Sequence, residues 1–445
     1  MDKFSDIRVP ISDDNVSIYR NEELCVKCGA CKNICKFNVG VYDNYDLKKV
    51  DEAICINCGQ CSLACPTESI CEVKDYLKLK EIIKTDKIKV FQVAPAVRAS
   101  LGEEFGMELG TNVEGKIVTS LKMLGADYVF DTTFGADLTI MEEANEFIDR
   151  IKNKKNLPMF TSCCPSWVKF VEIFYPEFIP NLSTCKSPIL MQGSIIKNYF
   201  SEINNLSSDD IVSVAITPCT AKKYEIKREE FCGDVDYVIT TRELAKWIKE
   251  EKINFNNLEE SSFDNIMGRG TGAGIIFGNS GGVTEAALRT ANNILSGNSD
   301  LLKLEETRGL GNIKESVVKI GDREIKVAVI NGTGDARKVL EKIKNNEVSY
   351  DFIEVMACEG GCIAGGGQPR VHFPVTGEVK IKRKDCLFNL DEECKLRNSY
   401  DNPDIIQIYS DYLECPLSKK SEELLHTSYV DRSNSLKSKK EEVHL

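Results

Sequence analysis

The stretch Tyr350-Asp-Phe-Ile-Glu-Val-Met-Ala-Cys-Glu-Gly-Gly-Cys-Ile-Ala-Gly-Gly-Gly-Gln-Pro369 decides how the chain is read. Its first half, YDFIEVMAC (350–358), is a β-branched and aromatic run of strand length that ends on a thiol. A second thiol follows four residues later, so one helical turn would aim Cys358 and Cys362 at a single object. The glycines around them let the backbone approach a bulky ligand closely. Five more runs have the same strand character: KVFQVAP (89–95), DYVFDT (127–132), LPMFTSC (157–163), IVSVAITPC (211–219) and IKVAVING (325–332). Helical periodicity fills the gaps, as in LTIMEEANEFIDRIKN (138–153) and VTEAALRTANNIL (283–295). Strand–helix alternation predicts an α/β domain with a largely parallel sheet. Three strands run directly into cysteines, at Cys163/Cys164, Cys219 and Cys358. Open α/β sheets collect ligands beyond the carboxyl ends of their strands, so these thiols are expected at one rim of one sheet. Four thiolates, Cys164, Cys219, Cys358 and Cys362, with few histidines or carboxylates nearby, favour an iron–sulfur centre over a hard metal.

The wider composition agrees. The chain has 445 residues, a formal net charge of −12, 42% hydrophobic and 28% charged residues. That is ordinary globular material for about two to four domains. The acidic balance argues against nucleic acid or an anionic membrane as the main partner. No segment approaches the roughly 18 unbroken apolar residues of a membrane span. The first residues have no basic stretch followed by an apolar one, so no secretory signal is expected and the chain reads as cytoplasmic. Nineteen cysteines in a reducing compartment point to metal or redox chemistry rather than disulfides. The three histidines, His372, His426 and His444, have no metal-ligand spacing to one another.

Nine of the cysteines fall between residues 25 and 71. Cys25, Cys28, Cys31 and Cys35 are followed by Cys55, Cys58, Cys61 and Cys65-Pro66, an internal repeat. This spacing wraps a loop around a cube-shaped cluster, with the fourth cysteine reaching across to the other cluster. Cys25, Cys28, Cys31 and Cys65 are expected to hold one [4Fe–4S] centre, and Cys55, Cys58, Cys61 and Cys35 the second. Zinc motifs lack the third and fourth cysteine at these offsets. Two clusters in series read as an electron conduit. A composition shift near DYLKLKEIIKTDK (75–87) divides a ferredoxin-like α+β domain, residues 1–80, from a catalytic domain, 87–430, with a polar frayed tail at 431–445.

Three segments stand out together: Thr161-Ser-Cys-Cys-Pro-Ser-Trp167, Thr217-Pro-Cys-Thr-Ala-Lys-Lys-Tyr-Glu225 and Glu354–Pro369. They resemble the three signature motifs of [FeFe]-hydrogenases. The flanking runs QVAPAVR (92–98), FGADLTIMEE (134–143), CKSPILMQGSIIK (185–197) and ELLHTSY (423–429) fit the same family, so the resemblance covers residues of about 25 to 430. It implies an α/β catalytic domain of two lobes around an H-cluster. That group is a [4Fe–4S] cube joined through one cysteine to a two-iron site with CO, CN⁻ and an azadithiolate bridge. By motif position, Cys164, Cys219, Cys358 and Cys362 would ligate the cube, with Cys362 also bridging to the two-iron site. Lys222 would hydrogen-bond a cyanide, as a charge-assisted donor suits. Gln92, Pro95, Met356 and the backbone at Ala94 would wall the two-iron site, and Thr217 would lie against it. The resemblance further implies a proton route through Cys163, Glu143, Ser183, Glu146 and Arg150. Residues 143, 146 and 150 share one helix face, and a buried glutamate has a raised pKa.

The reaction implied is 2H⁺ + 2e⁻ ⇌ H₂, with ferredoxin as electron partner and maturation proteins completing the cofactor. Two rivals share the motifs: a hydrogenase-like sensor, expected to carry an appended signalling domain, and an iron–sulfur assembly factor, expected to lack the proton-transfer cysteine. Ser166 and Thr217 depart from the commoner Gly and Met. The extra N-terminal cluster domains of larger relatives are not expected, since no cysteine precedes Cys25. Cys71, Cys185, Cys232, Cys386, Cys394 and Cys415 match no ligand position and are expected as buried thiols. Lys27, Lys32 and Lys36 suggest a basic rim for an acidic ferredoxin. The run GRGTGAG (268–274) follows no clear strand and is read as structural, not as a dinucleotide loop.

Overall fold

A computed structural model describes residues 7–231, 233–297 and 301–437; none of its helices is long and apolar enough to cross a membrane. Cys232 and residues 438–445 lie outside the described residues. Near the N-terminus, strands β1 (Ile18–Arg20) and β2 (Ile70–Glu72) pair antiparallel, Tyr19 opposite Cys71. Between them the two cysteine loops lead into helices Ala30–Phe37 and Gln60–Leu63. Each helix starts behind a left-handed glycine, Gly29 (φ 78°) and Gly59 (φ 69°). The loop must turn sharply there to fold its cysteines inward, and only glycine adopts that conformation without strain.

Two sheets build the rest. In the first, β3 (Ile88–Val93), β4 (Tyr128–Asp131), β6 (Ile211–Thr217) and β7 (Tyr237–Thr240) run parallel in the order β4-β3-β6-β7. Every residue of β6 is buried, as expected for a strand covered on both faces. In the second, β5 (Met159–Phe160), β8 (Ile313–Ile320), β9 (Arg323–Asn331) and β10 (Phe352–Met356) take the order β5-β10-β9-β8. Here β10 is parallel to β5 and β9, while β8 and β9 form an antiparallel hairpin turned at Gly321 (φ 57°). The fold is therefore α/β with mainly parallel sheets, plus the small α+β unit.

Several expectations change. The thiols do not share one sheet. Cys163, Cys164 and Cys358 follow strands of the second sheet, and Cys219 follows β6 of the first. Strand β8 has no counterpart among the expected strands: at the sheet edge its exposed residues, Ile313, Glu315, Val317 and Lys319, mix apolar and charged side chains, so no clean alternation marks it. The residues between Cys358 and Cys362 form no helical turn. They make a tight loop, with Gly361 N donating to Cys358 O (3.0 Å) and positive φ at Gly360 (96°) and Gly361 (87°). A Cβ on Gly361 would meet the Ser280 nitrogen at 2.6 Å, so this loop needs glycine twice over. The 431–437 part of the expected frayed tail is docked: Arg432 pairs with Glu172 (3.1 Å) and Glu230 (2.9 Å), and its backbone N–H reaches Glu172 O (2.8 Å). Cys185 and Cys386 are buried, but Cys71 and Cys394 are half-buried and Cys415 is exposed.

Candidate functional site

The two sheets meet around a cavity. Cys164, Cys219, Cys358 and Cys362 line it, with Cys163, Lys222, Ala94, Pro95, Thr217 and Met356. Residues more than 260 positions apart thus reach one space, because each sits just past the carboxyl end of a parallel strand. Burial raises all four ligand-type thiols, Cys219 to about 11. Free buried thiols at this density fit a group that takes thiolates and brings its own positive charge. The glycines beside them fit a bulky one. A Cβ on Gly365 would meet the Pro218 carbonyl at 2.3 Å, and one on Gly278 would meet Leu387 at 2.5 Å. The donor set and its cradle therefore suit a [4Fe–4S] cube with a further attached group.

Lys222 stands at the edge of this space. Burial works against its ammonium, yet Glu225 holds it charged, at 2.8 Å, and its pKa is raised. It also donates to Cys163 O (3.0 Å). The hydroxyl of Thr217 donates to Cys219 O (3.1 Å), fixing the ligand loop rather than facing the cavity with a free hydrogen. Gln92 does not line the cavity. It sits behind two lining residues, donating to Ile189 O (2.9 Å) and accepting from Thr132 Oγ1 (3.2 Å).

The remaining candidates lie on or beside one helix, Thr132–Asn153, capped by Asp131, whose carboxylate accepts Thr133 N–H at 3.0 Å. Glu143 is buried, and among the described residues neither of its oxygens has a hydrogen-bond partner. Burial, then repulsion from Glu146, pushes its pKa up to about 8. It lies near enough to raise the Cys163 thiol further, after burial itself. Glu146 accepts from Ser183 Oγ (2.8 Å) and Arg150 Nη2 (2.6 Å). The structure thus joins Ser183, Glu146 and Arg150 by hydrogen bonds and sets Glu143 within electrostatic reach of Cys163 and Glu146.

Cys35, Cys55, Cys58 and Cys61 line one cavity. Cys25 and Cys65 share Ser69 as a neighbour, and in both thiols burial is outweighed by surrounding N–H and hydroxyl donors, so both pKa values fall. The second loop touches the larger cavity directly. Gln60 Nε2 donates to Cys358 Sγ (3.0 Å) and to Ala364 O (3.0 Å), and Thr220 Oγ1 donates to Asn57 O (2.7 Å). No sequence signal had singled out Gln60. Around the first loop, Cys28 is exposed, and so are the apolar side chains of Ile7, Leu24, Val26 and Phe37. The lysine rim is weaker than expected: Lys36 pairs with Asp43 (2.6 Å) and Lys32 lies over the Tyr42 ring (4.8 Å).

Comparison with known proteins gives a consistent picture. Residues 87–366 match the family described as iron only hydrogenase large subunit, C-terminal domain. Residues 377–432 match iron hydrogenase small subunit, and residues 48–71 a 4Fe-4S binding domain. The chain is 42% identical to the NADP-reducing hydrogenase subunit HndD of Solidesulfovibrio fructosivorans, over 94% of this chain and 76% of that protein. It is equally, 42%, identical to iron hydrogenase 1 of Clostridium pasteurianum, over 94% and 77%. The solved structure of a variant of [FeFe]-hydrogenase HydA1 from Chlamydomonas reinhardtii superposes with a TM-score of 0.72 at 39% identity, covering 81% of this chain and 99% of that one. At 30% identity, over 78% and 76%, the chain is also similar to the cytosolic Fe-S cluster assembly factor narfl of Xenopus tropicalis.

Proposed function

We propose that this chain, which belongs to the iron-only hydrogenase family, exchanges electrons with ferredoxin through two [4Fe–4S] clusters while it interconverts protons and H₂. When bound, the H-cluster supplies the redox chemistry of 2H⁺ + 2e⁻ ⇌ H₂. The protein's part is to bind it, feed it electrons and move protons to a fixed place. Cys164, Cys219, Cys358 and Cys362 would hold the cube, and Lys222, kept charged by Glu225, would donate to an anionic ligand of the two-iron site. Ala94, Pro95 and Met356 exclude water from it, with Gln92 bracing this wall from behind. Cys163 would pass protons between the cofactor and Glu143. Glu143 would exchange them with Glu146 through the Ser183 hydroxyl, and its pKa of about 8 leaves both of its protonation states accessible near neutrality.

One observation carries the reading: the bond from Gln60 Nε2 to Cys358 Sγ joins a cluster loop to a thiol that lines the cavity. Electrons would enter at the cluster of Cys25, Cys28, Cys31 and Cys65, where Cys28 and the apolar Ile7, Leu24, Val26 and Phe37 are exposed. They would pass to that of Cys35, Cys55, Cys58 and Cys61 and on to the cube. A small apolar patch suits a transient redox partner better than a permanent one. Maturation proteins would complete the two-iron site, and a cytoplasmic setting would keep the thiols reduced. The lower-identity assembly factors are a weaker guide, because Cys163 and its buried acids have a use only where protons turn over. Dye-driven and ferredoxin-driven H₂ evolution by the matured protein tests this. Turnover with both donors supports it, turnover with dye alone removes the ferredoxin link, and no turnover with either overturns it.

A further inference from the structure

The proton route that resemblance implies ends on Arg150, and the physical chemistry of that side chain is wrong for the last step. A guanidinium does not give up its proton in neutral water. Arg150 donates to Glu146 (2.6 Å) and to the carbonyls of Asn156 (3.2 Å), Asn181 (3.0 Å) and Leu182 (2.7 Å). It can hold Glu146 in place, but it cannot hand a proton on. Some other group must trade protons between Glu146 and water.

His426 stands beside Glu146. An antiparallel bridge joins it to Cys185, and the Thr427 N–H donates to Thr184 O (2.8 Å), so the backbone is clamped there. Its Nδ1 lies 2.7 Å from Thr184 Oγ1 and its Nε2 lies 3.1 Å from Glu142 Oε2. An imidazole nitrogen, the Cys185 sulfur and a Glu146 oxygen all lie within 4.8 Å of one another. One bridging water spans such a gap. Only 8% of the His426 side chain is exposed, but Thr184, its partner at Nδ1, is at the surface. The charged and titratable groups that face the ring are Glu142 and Glu146 from helix Thr132–Asn153 and Cys185 from the bridge. Tyr409 acts through Glu142, to which its hydroxyl donates (2.5 Å).

We propose that His426 is the group that exchanges protons between Glu146 and bulk water, with Arg150 a positioning residue for Glu146. This rests on the reading of Glu143 and Glu146 as the proton route. In the direction of H₂ evolution, a proton from water joins the neutral imidazole. The imidazolium then gives one proton through a bridging water to the Glu146 carboxylate and returns to neutral. Ser183, 2.8 Å from Glu146, carries the exchange inward. H₂ oxidation runs the same steps backwards. An imidazole is suited to this because it takes a proton on one nitrogen and releases one from the other. Glu142, already satisfied by Tyr409 and by the Leu417 N–H (2.8 Å), stabilises the charged ring without taking its proton for good.

The test compares matured wild type with His426→Gln, which keeps hydrogen bonds but cannot relay. Dye-driven H₂ evolution is expected to fall at least ~10-fold, and millimolar imidazole to restore a substantial part. The chain has only three histidines, so ¹⁵N-histidine NMR isolates the His426 ring in the same protein. Its titration should respond to Glu146→Gln, because an adjacent carboxylate is lost. Wild-type rate and pH profile in His426→Gln would overturn the proposal. So would a loss that imidazole does not rescue, or a His426 titration indifferent to Glu146. A wild type that evolves no H₂ with dye fails the functional reading itself, and the NMR titration still judges the coupling.

Discussion

Glu143→Gln separates two properties that the buried acid combines. In the wild type the Glu143 carboxyl has a pKa near 8, against an ordinary value of 4.5, because burial and then Glu146 disfavour its charge. Between those two pH values the folded chain binds a proton that the unfolded chain has released. Stability therefore falls as pH rises across this window, and the loss is complete once pH passes the folded pKa. At 1.36 kcal/mol per pH unit, 3.5 units amount to about 5 kcal/mol. With an unfolding entropy of ~2.1 cal/mol/K per residue, a chain of 445 residues would lose about 5 °C of Tm from this source between pH 5 and pH 9. Glutamine mimics the neutral acid in size and has no proton to lose. The variant should thus show a Tm less sensitive to pH by about 5 °C, while its H₂ evolution falls at least ~100-fold. In the wild type, evolution should decline above pH ~8, where Glu143 loses the proton it would donate. Thermal scans at several pH values and a hydrogen assay on the same preparations decide the matter. An unchanged pH slope of Tm would refute the raised pKa, and a retained rate would refute the carrier role.

Four other perturbations test the remaining parts. Cys163→Ala should keep iron content and cofactor spectra but lose most turnover, whereas Cys164→Ala should damage the cube; equal iron loss in both would end the division of roles. Lys222→Met leaves Glu225 buried without its cation, so a loss of about 3–5 kcal/mol is expected in chemical denaturation, and a change below about 1 kcal/mol would contradict the pairing. Gly59→Ala places a Cβ 2.4 Å from Thr220 Oγ1 at a φ of 69°, so it should cost roughly 1–3 kcal/mol and disturb the electron paramagnetic resonance signal of the adjacent cluster; an unaltered signal and Tm would show the interface to be loose. Thr217→Val removes the hydroxyl that anchors Cys219, so the midpoint potential of the cube should shift on spectroelectrochemical titration, while Thr217→Ser keeps it; coincident potentials in all three would make Thr217 simple packing.

Much of the site was legible because its residues act through local spacing. The cysteine repeats declare their clusters by offsets alone, and strand-to-thiol junctions at 163/164, 219 and 358 declare a ligand rim. The face shared by Glu143, Glu146 and Arg150 follows from helical period. What escaped depends on contacts between distant segments. Pattern cannot tell that β6 belongs to a different sheet from β10, since both read as buried parallel strands. Strand β8 hid because its exposed edge mixes apolar and charged residues, without a clean alternation. The Cys358–Cys362 loop looked helical by spacing, but its paired glycines at positive φ override that period. Gln60 and His426 carried no signal of their own, being one amide among many and a histidine with no ligand spacing. Their meaning comes from Cys358 and Glu146, roughly 300 residues away along the chain in each case. The frayed-tail expectation failed for a similar reason: polar composition hid the pairing of Arg432 with buried Glu172.

The two-sheet origin of the thiols also explains why one lysine matters so much. Burial opposes the thiolate at Cys163, Cys164, Cys219 and Cys362, and at each of the four the Lys222 charge acts in the other direction. Cys163 and Cys164 follow β5, Cys362 follows the loop beyond β10, and Cys219 follows β6, so a single cation compensates anions delivered by both sheets. Lys222 can do this because it sits three residues past Cys219, on the short helix Ala221–Glu225, while its Nζ reaches across to the Cys163 carbonyl of the other sheet. Glu225, one turn on, keeps that charge in place, and its own carboxylate is held by a hydrogen bond from Ser187 Oγ (3.1 Å). The short span Cys219–Glu225 therefore contributes a ligand, the compensating cation and the cation's anchor. Loss of Lys222 should weaken retention of the cube as well as the attached two-iron group, which iron counting on Lys222→Met before and after maturation distinguishes from a defect confined to the second step.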